Sequence, residues 1–292
     1  MARSCVLLRL CFLLCYLLSV AESVKSRKFL VLFPGHGGKP ERVATLLPSL
    51  KYYNNSYFDC LIMVHPSEYV VHDEAYAPCE VYHVKEPIDI SGLIKLVDPE
   101  YIIRNKYAAV VMHSDDIVVG QDYDPLDLVF FMSLYELEVA SPLVLGSYHE
   151  IQNKVVSPVH RFDGRLTRFI DFDLTVFSPL AWTCFWSIVS PTSRTAWGYD
   201  SCFWDLCRLR MGLLDSMVVT HVQSGGHLGA NIDHGAHMVD WLKRRRDGNH
   251  TKFRPNCWLL STDSDTWNTS AASSSFWKPI CNLSLKASDD AC

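Results

Sequence analysis

In Ala108-Ala109-Val110-Val111-Met112-His113-Ser114-Asp115-Asp116 an unbroken apolar run ends at Met112, and His113-Ser114 leads from it to a pair of carboxylates. A short continuous apolar run closed by polar residues reads as a strand buried on both faces, the mark of a parallel sheet covered by helices. The same kind of run recurs at residues 28–33, where Lys28-Phe29-Leu30-Val31-Leu32-Phe33 stops at Pro34-Gly35-His36-Gly37-Gly38, and again at 57–64 and 80–84. Between these runs the apolar spacing turns helical, at 41–50 and 90–103. Strands alternating with helices predict an α/β fold whose sheet is mixed, mostly parallel and flanked by helices.

Downstream, Asp124-Pro125 predicts the N-cap and first position of a helix reaching about residue 138. A strand is expected at 142–145 and another in the alternating stretch 165–177. A helix then starts at Pro179, with Trp182, Phe185, Trp186 and Val189 on its apolar face. Residues 201–211 read as a further helix and 214–219 as a last strand, ending at Thr220-His221.

In sheets of this kind ligands bind beyond the carboxyl ends of the strands. Asp115 and Asp116 stand at one such end and His221 at another, a set that suits a divalent cation holding phosphates. Magnesium takes one or two carboxylates plus water, and manganese also accepts an imidazole. Trp197-Gly198-Tyr199-Asp200 opens a helix, so Asp200 either caps it or faces the same crevice. An Asp pair after a strand is also a common turn or cap, so both readings stay open. The turn containing Pro34, Gly35, Gly37 and Gly38 lets backbone approach a ligand such as a nucleotide. Gly35-His36-Gly37-Gly38 has the composition of an esterase oxyanion loop, but the chain has no Gly-x-Ser-x-Gly elbow. His227, Asp233, His234 and His237 cluster in sequence without the ligand spacing of a zinc hydrolase.

Residues 5–20 are apolar, with Arg3 ahead and Ala21-Glu22-Ser23 behind, the layout of a secretory signal. Cleavage near Val24 gives a protein that is secreted or resident in the Golgi lumen. Only an uncleaved leader would tie it to a membrane. Cys5, Cys11 and Cys15 leave with the leader, and the eight remaining cysteines are an even number, which permits full disulfide pairing. Cys60 with Cys79, and pairs among Cys257, Cys281 and Cys292, are the local pairings expected. Cys184 and Cys207, on apolar helical faces, read as buried free thiols. Sequons at Asn54, Asn249, Asn268 and Asn282 fit exposed loops. The formal net charge of -5 argues against a nucleic-acid surface, and the short run Lys243-Arg244-Arg245-Arg246 reads as the solvated end of a helix. After about residue 248 Ser, Thr, Asn and Asp dominate, with Trp258, Trp267 and Trp277 interspersed. The organisation expected is a signal peptide over 1–23, one α/β domain over 24–247, and an irregular disulfide-bearing segment over 248–292.

The acidic pair after an apolar strand, Tyr123-Asp124-Pro125, Val176-Phe177-Ser178-Pro179-Leu180-Ala181-Trp182, Trp197-Gly198-Tyr199-Asp200, and Asp215 and His221 with Gly229 beyond form one pattern. It resembles a plant and algal family of unknown function whose members often carry the label lysine-ketoglutarate-reductase trans-splicing related. The resemblance is loose over 29–229 and firmer over 110–229. That family is in turn similar to the GT-A nucleotide-sugar glycosyltransferases, in which an Asp-x-Asp cluster and a later His hold Mn2+ or Mg2+ on the sugar-nucleotide diphosphate. The resemblance implies a GT-A-like fold, a nucleotide-sugar donor and a glycan or protein acceptor. Asp115 and Asp116 match the central and last acidic positions, His221 the late His, and Asp200 the acid facing the acceptor in inverting members. Ser114 departs from the pattern, standing where the family has its first acid. That leaves a second expectation, a catalytically silent secreted relative that binds carbohydrate or protein.

Overall fold

A computed structural model describes residues 27–36, 40–64, 71–84, 96–146, 164–190 and 199–222. The leader, Gly37, Gly38, residues 90–95, Trp197, Gly198, the histidines beyond 222, Gly229, three of the four sequons and the segment 248–292 lie outside them.

The apolar runs form a sheet as expected. β1 (Lys28–His36), β2 (Phe58–Val64), β3 (Glu80–His83) and β4 (Tyr107–His113) lie parallel in the order β3-β2-β1-β4. β5 (Ile117–Val119) and β7 (Arg165–Thr167) both lie antiparallel on β9 (Met211–His221). β8 (Leu174–Phe177) is antiparallel to β4 on one side and to β6 (Val139–Leu145) on the other, and β9 is parallel to β6. β1 to β4, β6 and β9 therefore share one direction in a sheet of nine strands, which is mixed and mostly parallel.

Both faces are covered. α1 (Pro40–Leu50) and α3 (Pro125–Leu134) lie on one, with α2 (Pro99–Arg104), α4 (Pro179–Ile188) and α5 (Tyr199–Cys207) on the other. β1 shows why: Phe29, Val31 and Phe33 pack with Leu46, Leu50 and Tyr53, while Leu30 and Leu32 pack with Trp182 and Phe185. Alternate residues of a strand point to opposite faces, so only a run apolar at every position serves both. Each such side chain contributes roughly 1.5–3 kcal/mol. Trp182, 1% exposed, also donates its indole N–H to the Val97 carbonyl at 2.9 Å.

Helix starts follow the caps. Asp98, Asp124 and Ser178 each accept a hydrogen bond from a first-turn backbone N–H, and each is followed by proline at the first helical position.

Several expectations are corrected. The helix expected at 90–103 does not run through: Asp98-Pro99 starts α2 afresh, because proline disfavours a helical residue before it. α3 stops at Leu134, where Glu136 takes a left-handed φ of 51° and turns the chain into β6. The stretch 165–177 is two strands, since Thr167 Oγ1 and the Phe169 backbone close a turn between them and β7 and β8 pair with different neighbours. α5 ends at Cys207, with Arg208 at φ 55°, so Met211 starts β9. Trp186 is 37% exposed while Trp182 and Phe185 are buried. Cys60 pairs with Cys79 as expected. Cys184 and Cys207 are not free thiols: they form a disulfide across α4 and α5, whose packed faces bring the two Cα atoms to 6.1 Å.

Candidate metal centre at the carboxyl edge

Backbone hydrogen bonds knit three chain segments together where β4 and β9 end. The Ser114 N–H donates to the Asp173 carbonyl at 2.7 Å, because β8 begins beside the end of β4 with His113 opposite Leu174. The Val222 N–H donates to the Asp116 carbonyl at 2.8 Å, and Ile117 pairs with His221. Asp116, Asp173 and His221 are thereby brought to one place, each offering one ligand atom within 4.8 Å of the others. His221 Nε2 lies 3.3 Å from Asp116 Oδ2.

Asp116 is the hub. Its carboxylate accepts from the Ser114 hydroxyl and His221, and Arg42 Nη1 of α1 lies 3.1 Å from its Oδ2. The same guanidinium pairs with Asp115. Asp115 and Asp116 are 3% and 8% exposed, so these charges are held in a poorly solvated place. Burial alone would raise the Asp116 pKa, but His221, Arg42 and Ser114 together hold it down at about 2. Burial likewise opposes protonation of His221, and the hydrogen bond and charge of Asp116 overcome it and raise its pKa. Asp173 behaves in the opposite way to Asp116. Burial, then the charges of Asp171, Asp116 and Asp200, raise its pKa well above the usual carboxylate range.

Behind the site, Tyr53 Oη lies 2.8 Å from both His113 Nδ1 and Tyr123 Oη. All three side chains are buried. His113 begins and Tyr123 ends the stretch that carries Asp115 and Asp116, so one tyrosine hydroxyl ties both ends together. Burial lowers the His113 pKa to about 4, against smaller opposing effects of the Ile117 backbone and Asp116.

Of the residues singled out in the sequence, Asp116 and His221 come together, and Asp115 is beside them in its pair with Arg42. Asp200, 3% exposed, sits in the first turn of α5, near enough for its charge to act on Asp173. Pro34 and Gly35 lie near the end of β1, while Gly37 and Gly38 lie outside the described residues. Asp215, 20% exposed, is elsewhere: it pairs with Arg165 at 2.6 Å. Sequence reading missed Asp171, Asp173 and Arg42. Asp171-Phe172-Asp173 was legible as an acidic turn only if the stretch 165–177 was first broken in two. Arg42 carries no signal beyond being polar on an amphipathic helix.

No protein-family model matches the chain, and no curated protein sequence matches it. Among solved structures it is similar to S. aureus TarS 1-349 in complex with UDP-GlcNAc, with 13% identity, 81% of this chain and 76% of that chain covered, and a TM-score of 0.48. It spans 46% of a longer TarS structure. It is also similar to the mannosyltransferase PcManGT from Pyrobaculum calidifontis in complex with GDP-Man and Mn2+, with 10% identity, 78% and 66% coverage, and a TM-score of 0.48. A third is M. tuberculosis glucosyl-3-phosphoglycerate synthase, with 11% identity, 77% and 84% coverage, and a TM-score of 0.47.

Proposed function

We propose that this chain is a glycosyltransferase of the secretory pathway that binds a nucleotide-sugar at the carboxyl edge of its sheet with Mn2+ or Mg2+. It passes the sugar to a glycan or protein acceptor. The observation that carries this reading is the meeting of Asp116, Asp173 and His221 from three separate chain segments within 4.8 Å. Two carboxylates and an imidazole fit Mn2+, and the carboxylates with water fit Mg2+. A cation held there supplies charge neutralisation to the departing diphosphate. The substrate class rests on the resemblance of residues 110–229 to a plant and algal family that is itself similar to the GT-A nucleotide-sugar glycosyltransferases.

The chain's own residues supply the rest. Ser114 and Arg42 fix the Asp116 carboxylate in one orientation, which preorganises it. Pro34 and Gly35, near the end of β1, with Gly37 and Gly38 next in sequence, are the residues we assign to approach the nucleotide with their backbone. We assign the contact with that nucleotide to Asp115, which pairs with Arg42. Asp200 serves as general base, accepting the proton of the acceptor hydroxyl. One observation favours a silent binding relative instead: Arg42 already engages Asp115 and Asp116, and Ser114 stands where the pattern has an acid.

Thermal unfolding with UDP or GDP, with and without Mn2+, separates the two. The enzyme reading expects a nucleotide-dependent rise in Tm that needs Mn2+ and vanishes with chelator, worth about 2.7 kcal/mol at a hundredfold excess over Kd. No Mn2+-dependent shift at millimolar nucleotide leaves the binding reading.

A further inference from the structure

We propose that Asn54 carries an N-linked glycan, at the edge of the sheet opposite the candidate metal centre. Asn54-Asn55-Ser56 has the acceptor spacing, and all three residues are exposed in the turn between the single-turn helix Lys51–Tyr53 and β2. The two neighbouring asparagines have different tasks. Asn55 Oδ1 accepts from the Tyr57 N–H at 2.9 Å and Asn55 Nδ2 donates to the Tyr52 carbonyl at 3.3 Å, so its side chain builds the turn. Asn55 is also followed by Ser56-Tyr57, which breaks the acceptor spacing. No described residue hydrogen-bonds the Asn54 side chain. Its amide therefore projects from a turn already held in place by its neighbour.

Topology fixes where the glycan sits. Tyr57 accepts from the Phe29 N–H at 2.8 Å at the start of β1, and Phe58 pairs with Phe29, so the turn is at the amino edge. Asp116, Asp173 and His221 are at the carboxyl edge. A large sugar on Asn54 is thereby kept at the opposite edge from these three residues.

The Cys60–Cys79 and Cys184–Cys207 disulfides are a second, independent observation. Such bonds persist in oxidising compartments, where lipid-diphosphate-linked oligosaccharides are the glycan donors. In the transfer the Asn54 side-chain nitrogen bonds to the anomeric carbon and gives up one proton. The bond from that carbon to the diphosphate oxygen breaks, and the lipid diphosphate leaves with its electron pair.

The test is to express the full chain in cultured eukaryotic cells and to follow the peptide spanning residue 54 by mass spectrometry. A glycosidase that converts a glycan-bearing asparagine to aspartate is applied to half the sample. The expected result is a glycopeptide before treatment and aspartate at this position after it. Ser56→Ala and Asn54→Gln each abolish the modification, and Ser56→Thr keeps it. An unmodified peptide in the wild-type chain, whether or not other sequons carry sugar, overturns the proposal. It stands or falls apart from the sugar-transfer reading.

Discussion

Asp173 and Asp116 contribute to one three-atom group, yet their carboxyls are tuned in opposite directions. Asp116 is held ionised by Arg42, His221 and Ser114, whereas Asp173 is crowded by burial and by three other carboxylates. The charged form of Asp173 is therefore disfavoured, and a bound cation would favour it.

Asp173→Asn should therefore separate stability from binding. Removing the crowded carboxyl is expected to raise the stability of the metal-free protein by about 1 kcal/mol at neutral pH, a gain of the kind bought at functional sites by losing function. Mn2+-dependent nucleotide binding should fall at least tenfold, about 1.4 kcal/mol. Urea unfolding and calorimetric titration of the same variant check both.

The buried clamp of Tyr53, His113 and Tyr123 gives a pH dependence with a definite sign. His113 titrates at about 4 when folded, below the usual 6.5, so the unfolded chain binds more protons between those values. Stability is full above about pH 6.5 and falls as pH drops toward 4, by roughly 3 kcal/mol for a fully buried ring. Denaturant midpoints against pH should show this slope in the wild type and a flatter one in His113→Gln. Tyr53→Phe should cost about 1–3 kcal/mol, because it leaves buried partners without their shared oxygen.

The Cys184–Cys207 bond ties α5, which carries Asp200, to α4. Replacing both cysteines with serine should cost about 2–4 kcal/mol by the entropy of the loop it closes. Unfolding midpoints with and without reductant measure it: reductant also breaks Cys60–Cys79 in both proteins, so the wild type should fall further than the variant and the two should coincide once reduced.

What was legible in the sequence follows from local physics. β1 and β4 were clear because every position of a doubly covered strand is apolar, and the Asp124-Pro125 and Ser178-Pro179 starts because capping is a local interaction. Cys60 and Cys79 were legible because they lie close in sequence, Cys60 on β2 and Cys79 just before the neighbouring β3. The Cys184–Cys207 pairing depended on how two helices pack, which no spacing reveals. Asp173 was hidden for a similar reason: its place beside Ser114 is set by β8 inserting antiparallel between β4 and β6, a non-local pairing.

Ser114 takes on a different meaning once its hydroxyl is seen to donate to Asp116. From sequence alone Ser114→Asp restores an acidic pattern and should strengthen metal binding. In the folded site it removes a donor and adds a like charge, so the metal-free variant should lose about 1–2 kcal/mol. Added Mn2+ should recover that loss, giving a larger Mn2+-induced rise in Tm than in the wild type.

Whether Asp116, Asp173 and His221 form one cation site is decided by Mn2+ binding followed by electron paramagnetic resonance. The wild-type chain is expected to take up Mn2+ at a single class of site, and Asp116→Asn and Asp173→Asn are each expected to lose it while remaining folded by circular dichroism. Wild-type protein that leaves millimolar Mn2+ free in solution, or folded variants that bind it as the wild type does, would rule this shared site out.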